Sequence, residues 1–286
     1  MDVERVGVVG AGLMGVGIAE VCARSGSQVL VCDMNQKFLD AGREKLDLSL
    51  DRAVRSGKLD ADVREATMAR IGFTTDLGDF ADRHLAIEAI VESEHEKIEV
   101  FGSLDKIIED PAGILASNTS SIPIMKLGMA TERPENVLGL HFFNPVPVQH
   151  LVELIPSIAT APETADRAEA YVAGVLGKRV IRSQDRAGFI VNYLFVPCIL
   201  AAIRMFESGF ATAADIDDGM VEGCSHPMGP LALADLVGLD TVKAVADSMY
   251  DEFKEPLYAA PPLLNRMVEA GRLGRKRGRG FYDYTS

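Results

Sequence analysis

The chain has 286 residues, enough for two ordinary domains that each bury a core. Hydrophobic residues make up 48% and charged residues 25%, the balance of a soluble globular protein. With 29 Lys and Arg against 42 Asp and Glu the net charge is −13, which repels nucleic acid and anionic membranes and sets both aside as partners.

Residues 6–10 read as a buried strand, 13–25 as a helix and 28–33 as a second buried strand. The apolar run over 6–23 mimics a secretion signal, but Asp2 and Glu4 stand where a signal carries positive charge, so no targeting segment is expected. A helix follows over 36–56, a strand over 84–90, a helix over 95–108 and a strand over 113–117, then strands over 137–142 and 149–155. Thr160-Ala161-Pro162-Glu163 reads as a capping box opening a helix that ends near Gly177, and 178–183 as the last strand. Such alternation predicts an α/β fold: a Rossmann-type, doubly wound, mostly parallel sheet with helices on both faces.

Past Asp185-Arg186-Ala187-Gly188 the strand signals end. Helices are predicted over 190–208, 213–222, 241–253 and 263–270, with Thr212 opening the second through another capping box. The predicted organisation is therefore a dinucleotide-binding domain over 1–186 and a smaller all-helical domain over 187–286, with the site between them. Residues 190–206 carry Asn192 and Arg204 and are short for a membrane span. Apolar around its whole circumference, this helix is expected to be buried on all sides, a small domain and an isologous partner together covering it in a homodimer. Cys22, Cys32, Cys198 and Cys224 have neither disulfide nor zinc spacing and read as reduced thiols of a cytoplasmic protein without a metal site.

The first strand runs into Gly10-Ala11-Gly12-Leu13-Met14-Gly15, a G-x-G-x-x-G turn that opens a helix. Gly10 permits the tight turn, Gly12 lets a pyrophosphate approach the backbone, and Gly15 lets helix and strand pack closely. The N–H groups of the opening helix turn, at Leu13 and Met14, then face the phosphates without any need for net positive charge. Asp33 ends the next strand, twenty-one residues past Gly12, where a carboxylate accepts from ribose hydroxyls and repels a 2′-phosphate. The predicted cofactor is NAD.

His141 ends an apolar strand and precedes the proline turn Asn144-Pro145-Val146-Pro147, which puts it at the carboxyl edge of the sheet. Glu153 lies twelve residues on, along the returning strand and within reach across the turn. Imidazole titrates in the range needed to take a hydroxyl proton, and a carboxylate fixes its tautomer. A lone histidine among apolar residues is more often a core residue; the Glu153 partner and the dinucleotide turn reverse that balance.

Over nearly its whole length the chain resembles the monofunctional L-3-hydroxyacyl-CoA dehydrogenases, above all the bacterial short-chain 3-hydroxybutyryl-CoA enzymes. The matching stretches are residues 10–17, 87–92, 116–121, 141–147, 188–192, His226-Pro227-Met228-Gly229-Pro230 and Gly278-Arg279-Gly280-Phe281-Tyr282. The resemblance implies a His141–Glu153 dyad, with Ser120 and Asn192 hydrogen-bonding the reacting oxygen and the nearby thioester. It also implies that Asp33, Glu92, Lys97, Ser120, Asn144 and Lys276 touch NAD, and that Ser49, Arg52 and Lys58 meet coenzyme A. The family usually has proline where this chain has Ala187, a departure that bears on the rigidity of the junction.

Two other readings remain open on sequence alone: a related dehydrogenase of a sugar acid, and a non-catalytic nucleotide-binding protein of the lens lambda-crystallin kind. The basic run over 272–279 is interspersed with glycines, which marks it as a mobile loop able to fold over ligand phosphates.

Overall fold

The computed structural model describes residues 3–285 and divides into two units, Met1–Asp185 and Arg186–Ser286. In the first, β1 (Arg5–Val9), β2 (Gln28–Cys32), β3 (Ile71–Thr74), β4 (Leu85–Glu88), β5 (Ile114–Ser117), β6 (Val137–Phe142), β7 (Leu151–Pro156) and β8 (Arg179–Arg182) form one sheet. Its order is 3-2-1-4-5-6-7-8. All neighbours run parallel except the antiparallel pair β6–β7. The chain reverses its direction of winding at β1 and β4, which puts the topological switch point between their carboxyl ends.

Around the sheet lie α1 (Leu13–Arg24), α2 (Gln36–Arg55), α3 (Ala61–Ala69), α4 (Glu94–Ile107), α5 (Ile124–Gly128) and α6 (Pro162–Ala170). The residues of α1 from Gly15 to Ala23 are all buried, whereas α2 buries a single stripe of Leu39, Gly42, Leu46 and Leu50. Each large apolar side chain so buried contributes about 1.5–3 kcal/mol.

The sequence reading leaves 57–83 without structure, yet α3 and β3 lie there. Of α3 only Thr67 is buried, and β3 is four residues long and contains Gly72, so neither carries a clear period. The predicted capping box at Thr160 is corrected. Thr160 Oγ1 accepts from Ser157 N and donates to the Val137 carbonyl, while α6 starts one residue later from Ala161. Proline at the first helical position supplies the fixed φ that a side-chain cap would otherwise favour.

The second unit packs α7 (Val191–Glu207), α8 (Ala213–Cys224), α9 (Pro230–Val237), α10 (Leu239–Phe253) and α11 (Pro262–Glu269) around its own core. Thr212 does cap α8, accepting from Asp215 N. Val196, Ile199, Leu200, Ala202 and Ile203 of α7 face the core, while Leu194, Ala201 and Met205 are exposed on the other side.

Two glycines of the basic C-terminal segment, Gly274 and Gly280, serve close packing. Asp235 of α9 is 1% exposed and accepts from Phe281 N and Tyr282 N at 3.0 Å each. A Cβ on Gly280 would stand 1.9 Å from its Oδ1, and one on Gly274 2.2 Å from its carbonyl oxygen. At the junction, Ala187 N donates to Glu252 Oε2 at 2.8 Å, and Arg186 pairs with Oε1 at 2.9 Å. A proline at 187 has no N–H to give, so this chain replaces ring rigidity with a hydrogen bond.

Candidate active site

Antiparallel pairing of β6 and β7 sets His141 directly opposite Glu153. His141 Nδ1 lies 2.7 Å from Glu153 Oε2, with the histidine 5% and the glutamate 0% exposed. A carboxylate only accepts, so Nδ1 carries the proton of the neutral ring and Nε2 keeps its lone pair. Ser120 Oγ is 3.1 Å from Nε2, and the Phe143 ring packs against the imidazole at 4.6 Å between centroids. The register of the two strands depends on the turn joining them. There the buried Lys178 ammonium donates to the carbonyls of Val146 at 2.7 Å and Gln149 at 2.6 Å. Burial pushes the Lys178 ammonium below its usual value, and the neighbouring Arg24 adds to that.

Ser120 is held by a carboxylate network. Glu92 Oε1 accepts from Thr119 Oγ1 at 2.5 Å, Ser120 N at 3.0 Å and Ser121 Oγ at 3.1 Å. Its other oxygen is 3.2 Å from the Lys97 ammonium. Burial by itself would raise the Glu92 carboxyl; the Lys97 charge and the bonds from Thr119 and Ser120 outweigh it and hold the group below its usual range. Lys97 is 1% exposed and also donates to Glu88 Oε1 at 2.6 Å. Its reach toward a ligand therefore runs through Glu92. Glu88 is a member the sequence reading gave no role. The signal was there: an acidic residue ending the buried strand Leu85-Ala86-Ile87-Glu88, with a lysine nine residues on.

At the carboxyl end of β1 the residues fit a dinucleotide. Gly10 has φ +108°, and a Cβ there would lie 2.5 Å from the Ala89 carbonyl oxygen. A Cβ on Gly15 would meet the Gly10 oxygen at 1.8 Å, whereas one on Gly12 meets nothing within 4 Å. Closed on two sides and open at Gly12, the turn leaves space where a pyrophosphate would approach the first N–H groups of α1. Leu13 and Met14 supply that first turn, and Leu13 is exposed. Asp33 accepts from Ala11 N and Met34 N, both at 2.7 Å, which orients its carboxylate along the glycine turn.

Asn144 is exposed beyond β6 in the turn that follows His141. Arg52, on α2, and Lys58, just past it, are exposed and form no ion pair among the described residues. Ser49 faces the buried Glu20 carboxyl, which burial raises and the Ser49 hydroxyl and Arg24 partly bring back. Asn192 and Lys276 belong to the second unit, where Lys276 Nζ pairs with Asp240 at 2.5 Å. Among the described residues no group of His, Cys, Asp and Glu is arranged to hold a metal, and no helix is long and apolar enough to cross a membrane.

An imidazole whose proton is fixed on one nitrogen accepts a proton on the other. At the end of β6 in the same sheet whose β1 runs into a dinucleotide turn, that chemistry is the kind a nicotinamide-dependent dehydrogenase uses. Comparisons with known proteins agree. Residues 5–186 match the family described as 3-hydroxyacyl-CoA dehydrogenase, NAD binding domain, and residues 188–284 the C-terminal domain of the same family. A 3-hydroxybutyryl-CoA dehydrogenase of Mycobacterium tuberculosis is 57% identical over 282 residues, which are 99% of each chain. The crystal structure of FadB2 from that organism superposes with a TM-score of 0.99 at 56% identity over the whole of both chains. That of the (S)-3-hydroxybutyryl-CoA dehydrogenase PaaH1 from Ralstonia eutropha gives 0.93 at 42%, again over both whole chains. The chain belongs to the 3-hydroxyacyl-CoA dehydrogenase family, with an NAD-binding first unit.

Proposed function

We propose that this protein interconverts a short-chain L-3-hydroxyacyl-CoA, such as 3-hydroxybutyryl-CoA, with its 3-oxoacyl thioester. The reading rests on one observation above the rest: the cross-strand pair His141–Glu153 with Ser120 on the remaining nitrogen. His141 Nε2 takes the 3-hydroxyl proton, and Glu153 stabilises the imidazolium as it forms. Ser120 Oγ–H, which meets Nε2 in the free site, turns to the substrate oxygen. Bound NAD supplies the acceptor for the hydride leaving C3.

Asn192 is assigned to the substrate carbonyl by family resemblance, and Asp33, Glu92, Lys97, Asn144 and Lys276 to the cofactor on the same ground. Arg52 and Lys58, cations with no ion pair among the described residues in a chain of net charge −13, suit the phosphates of coenzyme A, with Ser49 near Arg52 on α2. The experiment is oxidation of NADH by acetoacetyl-CoA on the purified protein, followed by loss of NADH absorbance, with free acetoacetate and a keto sugar acid as alternative substrates. Consumption with the thioester alone supports the reading, and turnover only with a free acid overturns it.

The same proposal makes the protein a cytoplasmic homodimer assembled through its second unit. Supporting it are the four free cysteines and the exposed apolar stripe of Leu194, Ala201 and Met205 along α7, with Phe210 beyond it. Such a stripe is the face an isologous contact covers. Sedimentation equilibrium at micromolar concentration should give twice the chain mass of 30.8 kDa, and a monomer would overturn the dimer.

A further inference from the structure

The network behind Ser120 carries an uncompensated charge. Glu88 accepts from Lys97 Nζ at 2.6 Å, Ile90 N at 2.8 Å and Ser117 Oγ at 2.6 Å. Ser117 Oγ itself accepts from Thr119 N at 3.1 Å, so its proton goes to Glu88. Glu92 likewise accepts from hydroxyls, an amide and the ammonium. Groups that only accept are ionised. Two carboxylates therefore share one ammonium, and the cluster holds one surplus negative charge.

Glu88 and Lys97 are buried, whereas the Glu92 side chain is 34% exposed, so the surplus faces outward at Glu92. The amino terminus of α4 lies next to it, but that end brings only about half a positive charge; Glu96 in its first turn opposes it, while Glu94 there is paired with Lys126 at 2.7 Å. Against the effect of burial, Lys97 and the bonds from Thr119 and Ser120 hold the Glu92 carboxyl below its usual range, so that charge is present at neutral pH where a cationic ligand group would meet it. From His141 Nε2 to the Glu92 carboxylate there are only two hydrogen bonds, of 3.1 and 3.0 Å, through the single residue Ser120. The group that exchanges hydride with a carbon whose oxygen faces Nε2 must work within a few ångströms of that carbon, hence close to Glu92. In its oxidised form that group is a cation, and in its reduced form it is neutral.

We propose that the Glu88–Lys97–Glu92 cluster tunes the redox preference of the cofactor site, shifting the ratio of binding constants toward the oxidised nicotinamide relative to the same site without the surplus charge. Glu88 is thereby a positioning and charge-setting residue that touches neither substrate nor cofactor. The inference rests on the cofactor assignment above. It implies that the surplus charge favours the direction in which the bound cofactor ends oxidised, namely reduction of the 3-oxoacyl thioester. One charge at roughly 8 Å with an effective dielectric of about 20 shifts a binding ratio about thirtyfold, and solvent at Glu92 reduces this toward threefold.

The test measures dissociation constants of NAD+, NADH and ADP-ribose for the full chain by fluorescence and competition. Glu88→Gln neutralises the surplus, and the ratio of the NAD+ to the NADH constant should rise about tenfold while ADP-ribose affinity stays unchanged. Glu88→Gln/Lys97→Met disturbs the network more but restores one surplus charge, and should return the ratio to wild type. If Glu88→Gln does not fold, Glu92→Gln removes the same charge from a more exposed side chain and must move the ratio the same way. An unchanged ratio, an equal loss for all three ligands, or a double variant that fails to restore it would overturn the proposal. A wild-type chain binding neither nucleotide would remove the cofactor assignment first.

Discussion

Glu153→Gln keeps the shape of the catalytic pair and removes its charge. Glu153 is fully buried under His141, 2.7 Å from Nδ1. When Nε2 gains a proton, the ring becomes a cation one hydrogen bond from that carboxylate. At about 4 Å between charges and an effective dielectric near 20, the attraction is worth about 4 kcal/mol. Each ~1.36 kcal/mol is tenfold in rate, so full loss corresponds to about 10³-fold. The glutamine carbonyl still accepts from Nδ1–H and keeps the ring oriented, which brings the expected fall in kcat to about 10²–10³-fold. Steady-state reduction of acetoacetyl-CoA gives kcat, while NADH titration and thermal unfolding check that cofactor site and fold survive. A kcat within about threefold of wild type, with both controls intact, would refute the assignment of imidazolium stabilisation to Glu153.

Asp33 should make NADP a poor cofactor, because a 2′-phosphate would meet a carboxylate already oriented by Ala11 N; equal kcat/KM with NADPH and NADH would contradict that. Gly15→Ala puts a Cβ 1.8 Å from the Gly10 oxygen, so NADH affinity should fall at least tenfold while the second unit's near-UV signal is retained; unchanged NADH titration would show that the turn can shift. The Glu92 carboxyl is held below its ordinary value of 4.5, so the stability it adds is full above that pH and lost as pH falls through the lower folded-state value. Glu92→Gln should therefore unfold in less urea at pH 7 and lose less stability than wild type on acidification below pH 4.5; identical acid limbs would mean that Glu92 adds nothing to folding.

What was legible in the sequence was whatever has a local cause. The strand–Gly10–Gly12–Gly15–helix turn and Asp33 lie within one βαβ unit, and the fixed spacing of the glycines reports a backbone that must approach something closely. His141 and Glu153 were visible because a proline turn folds their strands together. Short elements escaped: β3 pairs with β2 through only four residues, and α3 buries one side chain, so tertiary contact decides both and periodicity cannot. The π-helical turn Tyr171–Val175 has no local sequence mark either. Glycines past residue 270 were read as freedom, when two of them exist to let backbone pack onto Asp235, forty residues away in sequence.

That last correction and the missed Glu88 have one cause. A buried carboxylate needs several donors, and those donors come from segments remote in sequence: Phe281 and Tyr282 for Asp235, Ser117 and Lys97 for Glu88. Sequence shows only an acidic residue inside an apolar run, which is the mark of an obligation without its address. In Asp235 the obligation is met by backbone, and the result is an anchored segment. In Glu88 and Glu92 it is met by one lysine short of neutrality, beside Ser120 and the base. The chain's net charge of −13 acts over distances that physiological salt screens within about 8 Å. A single surplus charge at Glu92, two hydrogen bonds from the base through Ser120, acts across that short distance, so it bears on the chemistry where the global charge does not.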